Sequence, residues 1–408
     1  MDHTDEYIKE ISEKIDSKKD YYAEISNKIW EFAEPRFQEY RSSELLQHVL
    51  KQAGFSIKAD LAGEKTAFIA EYGSGKPVIA FLGEFDALPG LSQKADVAER
   101  IPVHTDSCGH GCGHQLIGTG TLASVIALKD FVKEHNLQGT IRYYGCPAEE
   151  NAGGKAFLVR DGYFNDCDLA LCWHPEQGRR ACYGSTKANF RVFFTFHGTS
   201  AHASMCPELG RSALDAVELM DVGVNYMREH MIDEARIHYA ITDAGGQSPN
   251  VVQPSAQVLY MLRSDNVPNI RKLAERVDDL AKGAALMTGT TFTHRFIDGT
   301  ADVLPNAALK KLAYANFAAQ KLPAYTPEEL SYAQAISDTC VSDGVPGFAS
   351  GFDAEIADFA REASNNGKKP INDFLMPLWH SNMIEPGSTD VGDVSRQTPT
   401  VQLHTATW

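Results

Sequence analysis

Apolar residues fall along this chain in two rhythms, short and largely apolar runs first and strict alternation later. The runs are 77–82 (PVIAFL), 140–145 (TIRYYG) and 168–173 (DLALCW). Largely apolar stretches of this length suit strands buried on both faces of a parallel sheet. Between the first two, Ile117, Val125, Leu128 and Val132 share one helical face and predict a helix over about 116–134. Another helix is predicted over about 5–34, ending before Pro35, from Ile8, Ile11, Ile15, Ile25 and Ile29. Strands alternating with helices imply an α/β domain with a mostly parallel sheet.

Near Ser185 the pattern changes. Phe190, Val192, Phe194 and Phe196 alternate over 189–197, the signature of a half-buried antiparallel strand. A helical stripe follows (Leu214, Val217, Met220, Val224, Met227), then strands near 236–242 and 257–263, a helix near 270–284 and a strand near 291–297. That order predicts a compact α+β insertion over 186–299, with 1–185 and 300–408 forming one discontinuous domain around it. After Pro305 the chain reads as helical again. The stretch 345–369, rich in Gly, Ala and polar residues, reads as loop, and 398–408 reads as a last strand.

A length of 408 residues accommodates two domains. The formal charge of −16 argues against nucleic acid or an anionic membrane as partner, since both attract basic surfaces. The first residues, MDHTDE, carry no apolar signal region, and no apolar stretch approaches the roughly 18 residues of a membrane helix. Eight cysteines scattered through so long a chain suit reduced thiols, so the expected compartment is the cytoplasm.

Each apolar run ends in reactive side chains: Gly83-Glu84-Phe85-Asp86 after the first, Cys146-Pro147-Ala148-Glu149-Glu150 after the second, and His174-Pro175 after the third. Ligands of open α/β sheets bind outside the carboxyl ends of the strands. A fourth contribution is the Gly-rich turn His110-Gly111-Cys112-Gly113-His114, which opens a helix. Thiolate, imidazole and carboxylate together are a divalent-metal set. The pair Glu149-Glu150 allows one carboxylate to bind metal while the other takes a proton from water. Asp86 reads as a residue that orients a ligand. Cys108 and His110 are weaker candidates for the same set. A zinc nucleobase deaminase would need a Pro-Cys-x-x-Cys after a His-x-Glu. His174-Pro175-Glu176 has no such partner downstream.

These motifs, in this order, resemble the dinuclear-metal aminoacylase and carboxypeptidase superfamily. The similarity is to its amidohydrolase branch of aminobenzoyl-glutamate, hippurate and auxin-conjugate hydrolases. The 24-residue separation of Glu150 from His174 is similar to the family's. So are His197-Gly198-Thr199-Ser200-Ala201-His202-Ala203 and Ser248-Pro249-Asn250-Val251-Val252, which resemble markers of an inserted lid domain. Residues 388–395 (STDVGDVS) resemble the aminobenzoyl-glutamate hydrolase B-subunit type within that branch. The resemblance implies that Cys112, His114, Glu150 and His174 are metal ligands and that Glu149 is the catalytic base. It implies that His202 stabilises the oxyanion, with a dimer interface as one route to the site, and that Asn250 binds substrate, although Asn250 also suits a turn after Pro249.

The function expected from this set is metal-dependent hydrolysis of an amide bond in N-acyl amino acids, on aminobenzoyl-glutamate-like or dipeptide-like substrates that carry a carboxylate. Two divalent ions per site are implied, zinc or manganese. A homodimer through the inserted domain is expected, with a second subunit as a further partner. The alternative is a metal-binding or regulatory subunit with weak or no catalysis, against which Glu149 argues. Relatives carry a further His-bearing loop and a closing helix after the terminal strand. Here the expectation is a shorter C-terminus, an incomplete metal site, reduced activity and apolar surface left beside that strand. His404 is the remaining candidate to replace the absent ligand, but alternation puts it mid-strand, facing solvent or a helix.

Overall fold

The largely apolar runs become neighbouring parallel strands. Val78–Glu84 lies between Gly139–Cys146 and Leu169–Glu176, and Thr400–Ala406 continues the parallel order beyond Leu169–Glu176. This computed structural model describes residues 4–181, 184–320, 322, 324–340, 354–379 and 382–407. Contacts divide the chain into two units. The first comprises Met1–Ser185, Leu304–Glu385 and Asp393–Trp408; the second comprises Thr186–Val303 and Pro386–Gly392.

In the first unit the sheet has seven strands, in the order Ser56–Leu61, Glu64–Ser74, Gly139–Cys146, Val78–Glu84, Leu169–Glu176, Thr400–Ala406 and Arg180–Ala181. Its four central strands are parallel and its edges antiparallel, so the sheet is mixed within the expected α/β class. Helices Lys19–Phe32, Tyr40–Gln52 and His114–Glu134 close one core, where Ile29, Leu46, Leu122 and Val125 meet Phe68, Phe85, Ile141 and Tyr143. Each such side chain contributes about 1.5–3 kcal/mol by leaving water. The helix His114–Glu134 approaches the strand end so closely that a Cβ on Gly118 would stand 2.7 Å from the Glu84 carbonyl oxygen. Between that helix and Ala307–Ala319 runs a groove of about 560 Å³, lined by Leu171, Trp173, Leu309, Leu312, Val401 and Leu403.

In the second unit four antiparallel strands stand in the order Thr291–Thr300, Ala188–His197, Ser255–Ser264, Arg236–Asp243. Phe194 and Phe196, with Val258, Tyr260 and Leu262, pack against Val217, Met220 and Val224 of helix Ala213–Met227 and Val277 and Ala281 of helix Val267–Thr288. Both helices begin at side-chain caps. Ser212 Oγ accepts from the Asp215 amide at 3.1 Å, and Asn266 Oδ1 from the Asn269 amide at 2.9 Å.

Three elements differ from the sequence reading. The predicted helix over 5–34 is two helices, Thr4–Asp16 and Lys19–Phe32. The step from Ile15 to Ile25 turns the apolar stripe about 80° around an ideal helix, and the break at Ser17-Lys18 lets both halves face inward. Residues 354–363 form a helix, Ala354–Ala363, with Ile356 and Ala360 buried, where loop was expected; 345–353 lie outside the described residues. The segment 35–76, unassigned from sequence, holds a helix and two antiparallel strands, of which the edge strand Ser56–Leu61 buries only Leu61 and so carries no alternation.

Candidate metal centre

Parallel strands deliver their carboxyl ends to one edge of the sheet, and four segments of the first unit converge there. The turn after Val78–Glu84 carries Asp86, 1% exposed. After Gly139–Cys146, Ala148 adopts φ 58°, ψ 36° and starts a one-turn helix at Glu149. His174 lies within Leu169–Glu176. Gly113 caps the helix His114–Glu134 with φ 79°, a left-handed conformation that favours glycine, so that Cys112 and His114 flank the cap.

Among the described residues, two groups of donor atoms lie within 4.8 Å of one another: Cys112, His114 and His174, and His114, Glu149 and Glu150. His114 belongs to both. Its Nδ1 pairs with Asp86 Oδ1 at 2.8 Å, and the other Asp86 oxygen accepts the Glu150 amide at 2.8 Å. One fully buried carboxylate therefore orients a donor from each of two segments. His174 Nδ1 is bonded to the Pro175 carbonyl at 2.6 Å, which leaves Nε2 facing Cys112 Sγ at 3.2 Å.

The donor set fits a divalent cation. His114 is wholly buried, yet its Nε2 has no hydrogen-bond partner, and neither has the buried Oε1 of Glu150. Buried polar atoms are rarely left so. Burial, with Asp86 and Glu84 nearby, raises the Glu150 carboxyl pKa, although His114 opposes. Burial, with Glu150 and Glu149, likewise raises that of the Cys112 thiol. Burial alone would lower the His114 imidazole, but Asp86 and Glu84 drive it well above its ordinary value. The carboxylates around His114 thus favour positive charge on or beside its ring, while burial disfavours bare anions at Glu150 and Cys112.

Asp86, the four expected ligands and Glu149 are thus brought together, while Cys108 and His110 stay outside the donor groups. His110 is packed on Trp30 and bonded to the Ile29 carbonyl at 3.0 Å, and burial lowers its pKa to about 4. His202 and Asn250 belong to the second unit and adjoin each other there. His202 bridges to Val251, and the Ala203 amide donates to the Asn250 carbonyl at 3.0 Å. His202 Nδ1 accepts the Ser204 and Met205 amides, each at 3.2 Å, so the neutral ring carries its proton on Nε2.

His404 does not face solvent, one of the two surroundings expected for it. It is 6% exposed and pairs in parallel register with His174, so the two share a face of the sheet, their ring centroids 6.3 Å apart. Neither ring nitrogen has a hydrogen-bond partner, and His404 is in neither donor group.

Sequence reasoning passed over Glu39, at the start of helix Tyr40–Gln52. Fully buried, it accepts the Ala148 amide at 2.9 Å and the Thr66 hydroxyl at 2.9 Å, tying down the turn that presents Glu149 and Glu150. Burial and the nearby Asp86 push its pKa up to about 7. A carboxyl whose folded pKa exceeds its unfolded value of about 4.3 stabilises most at low pH and loses that contribution as pH rises through 7. In metal-stripped protein, urea titrations at pH 5 and pH 8 should show parental stability falling by about 1–3 kcal/mol more than that of Glu39→Gln. Equal losses in both proteins would contradict this account.

Sulfur, imidazole and carboxylate donors at the carboxyl edge of an α/β sheet, with a further carboxylate beside them, define a metal-dependent hydrolase. Residues 80–383 match Peptidase family M20/M25/M40, and the chain belongs to that family. It is 41% identical over 400 residues to the p-aminobenzoyl-glutamate hydrolase B-subunit of Escherichia coli (strain K12), covering 96% of this chain and 82% of that protein. The fold is similar to the aminobenzoyl-glutamate utilization protein of Klebsiella pneumoniae, with a TM-score of 0.65, 18% identity and 97% and 93% of the two chains covered. It is also similar to a dinuclear metal binding peptidase of the M20 family from Bacillus subtilis, with a TM-score of 0.56, 16% identity and 95% and 89% covered. The chain is a metal-dependent amidohydrolase of the peptidase type.

Proposed function

We propose that this enzyme cleaves the amide bond of an N-acyl amino acid, with N-(4-aminobenzoyl)-glutamate and short dipeptides as the first substrates to try. Cys112, His114, Glu150 and His174 hold two divalent ions, zinc or manganese, with Asp86 orienting His114 and Glu150. When bound, the ions polarise the scissile carbonyl and lower the pKa of water. Glu149 takes the proton of the attacking water on its carboxylate and returns it to the leaving nitrogen as the C–N bond breaks. His202 donates its Nε2 proton to the developing oxyanion, and Asn250 contacts the substrate. The observation that carries this reading is the Glu149 carboxylate, 4.0 Å from His114 Nε2 at the centre of the donor groups.

The reading extends to assembly and location. The second unit mediates a homodimer. The E. coli relative is by name a B-subunit, which makes a second kind of subunit the natural partner. A cytoplasmic location agrees with seven free cysteines among the described residues. No helix among those residues is long and apolar enough to cross a membrane.

The test is an assay of amine release from N-(4-aminobenzoyl)-glutamate, hippurate and dipeptides, with added Zn²⁺ or Mn²⁺, run with and without an A-type partner. Turnover that a chelator abolishes and metal restores is expected. Inactivity on every N-acyl amino acid in both arms would overturn the reading.

A further inference from the structure

Glu84 ends the strand Val78–Glu84 and is 4% exposed. A carboxylate this deep needs a compensating charge. Lys155, itself wholly buried, supplies one: its Nζ donates to Glu84 Oε1 at 2.5 Å. The other oxygen is turned toward the donor groups. Glu84 Oε2 stands 3.5 Å from His114 Nε2, nearer than Glu150 Oε1 at 3.8 Å or Glu149 Oε2 at 4.0 Å. Three carboxylates therefore surround one imidazole nitrogen, and that nitrogen is buried without a hydrogen-bond partner.

With Nδ1 held by Asp86, His114 turns Nε2 toward the three carboxylates, where either a proton on Nε2 or a metal cation must lie among them. A lone pair facing three anionic oxygens in a dry site is repulsive unless a cation lies among them. Building on the metal-site reading above, we propose that Glu84 is a further donor to the ion held by His114 and Glu150, through Oε2. Lys155 is a positioning residue for it. By occupying Oε1 it fixes which oxygen Glu84 offers, and its charge offsets one carboxylate of an otherwise anionic cluster. The pairing gives a structural reason for a lysine five residues after Glu150, on helix Gly154–Arg160, to point into the protein.

The alternative is that Glu84 and Lys155 form a buried ion pair with no part in metal binding. Glu84→Gln alone leaves the Lys155 charge unpaired, so it is compared with the neutral double variant Glu84→Gln/Lys155→Met. Each protein is loaded with Co²⁺, and affinity is measured by competition with a chromophoric chelator. The visible ligand-field spectrum and circular dichroism are recorded alongside. If Glu84 is a donor, both variants bind Co²⁺ at least about tenfold more weakly at one site, with an altered spectrum and parental circular dichroism. A double variant with parental affinity and spectrum would overturn the Glu84 assignment and leave the metal centre standing. A parent protein that takes up no Co²⁺ would overturn the metal centre itself, and Glu84 with it.

Discussion

Glu149→Gln is expected to lower kcat by about 10²–10⁴-fold while fold and metal content stay near parental values. Glutamine matches the shape of glutamate but cannot accept the proton of the attacking water. The Glu149 side chain is 14% exposed, so it reaches the substrate side while staying 4.0 Å from His114 Nε2. Its backbone is set by the left-handed Ala148 and by the Glu39 bond to the Ala148 amide, neither of which the change touches. Steady-state kinetics beside elemental analysis of bound metal is the check. A variant that keeps half the parental turnover would remove Glu149 from the role of base.

Asp86→Ala should weaken metal binding by about 10–100-fold, the range found when groups that orient ligands are removed. The loss follows from the two bonds that Asp86 makes, one to His114 Nδ1 and one to the Glu150 amide. Without them the imidazole is free to rotate and the turn carrying Glu150 loses its anchor. Asp86→Asn should fall between, because one amide oxygen cannot serve both donors as a carboxylate does. Chelator competition on the three proteins, with circular dichroism to verify folding, checks the order. Parental affinity in Asp86→Ala would show that packing alone orients His114.

What could be read from sequence depended on how local the signal was. Three of the four central strands carried largely apolar runs, and the second unit carried clean alternation, because in both cases burial is repeated along a few consecutive residues. The helix Ala354–Ala363 escaped because it buries only Ile356 and Ala360 in a polar, Gly-rich context. The edge strand Ser56–Leu61 is mostly exposed and has no rhythm to detect. Within the site, residues at strand ends could be singled out one by one. Their pairings could not: Glu84 meets Lys155 from 71 residues away and Glu39 meets Ala148 from 109. The burial of His404 beside His174 escaped for a related reason. Alternation divides a strand into two faces, but only the register against Leu169–Glu176 shows that one of them is the face of His174.

The donor groups are also far apart along the chain: Cys112 and His174 are separated by 62 residues, and Asp86 and Glu150 by 64. No short peptide from this protein could gather them, and parallel strand pairing of such separation is slow because loop entropy is lost before contacts form. An ion is therefore expected to meet a cavity already built by the sheet and not to template the early chain. Its binding energy falls almost wholly on the native side of the folding barrier, where it slows escape from the folded state without hastening arrival. Metal loading is therefore expected to act as a brake on unfolding, so that metal-loaded protein unfolds more slowly than metal-stripped protein in denaturant while the two refold at similar rates.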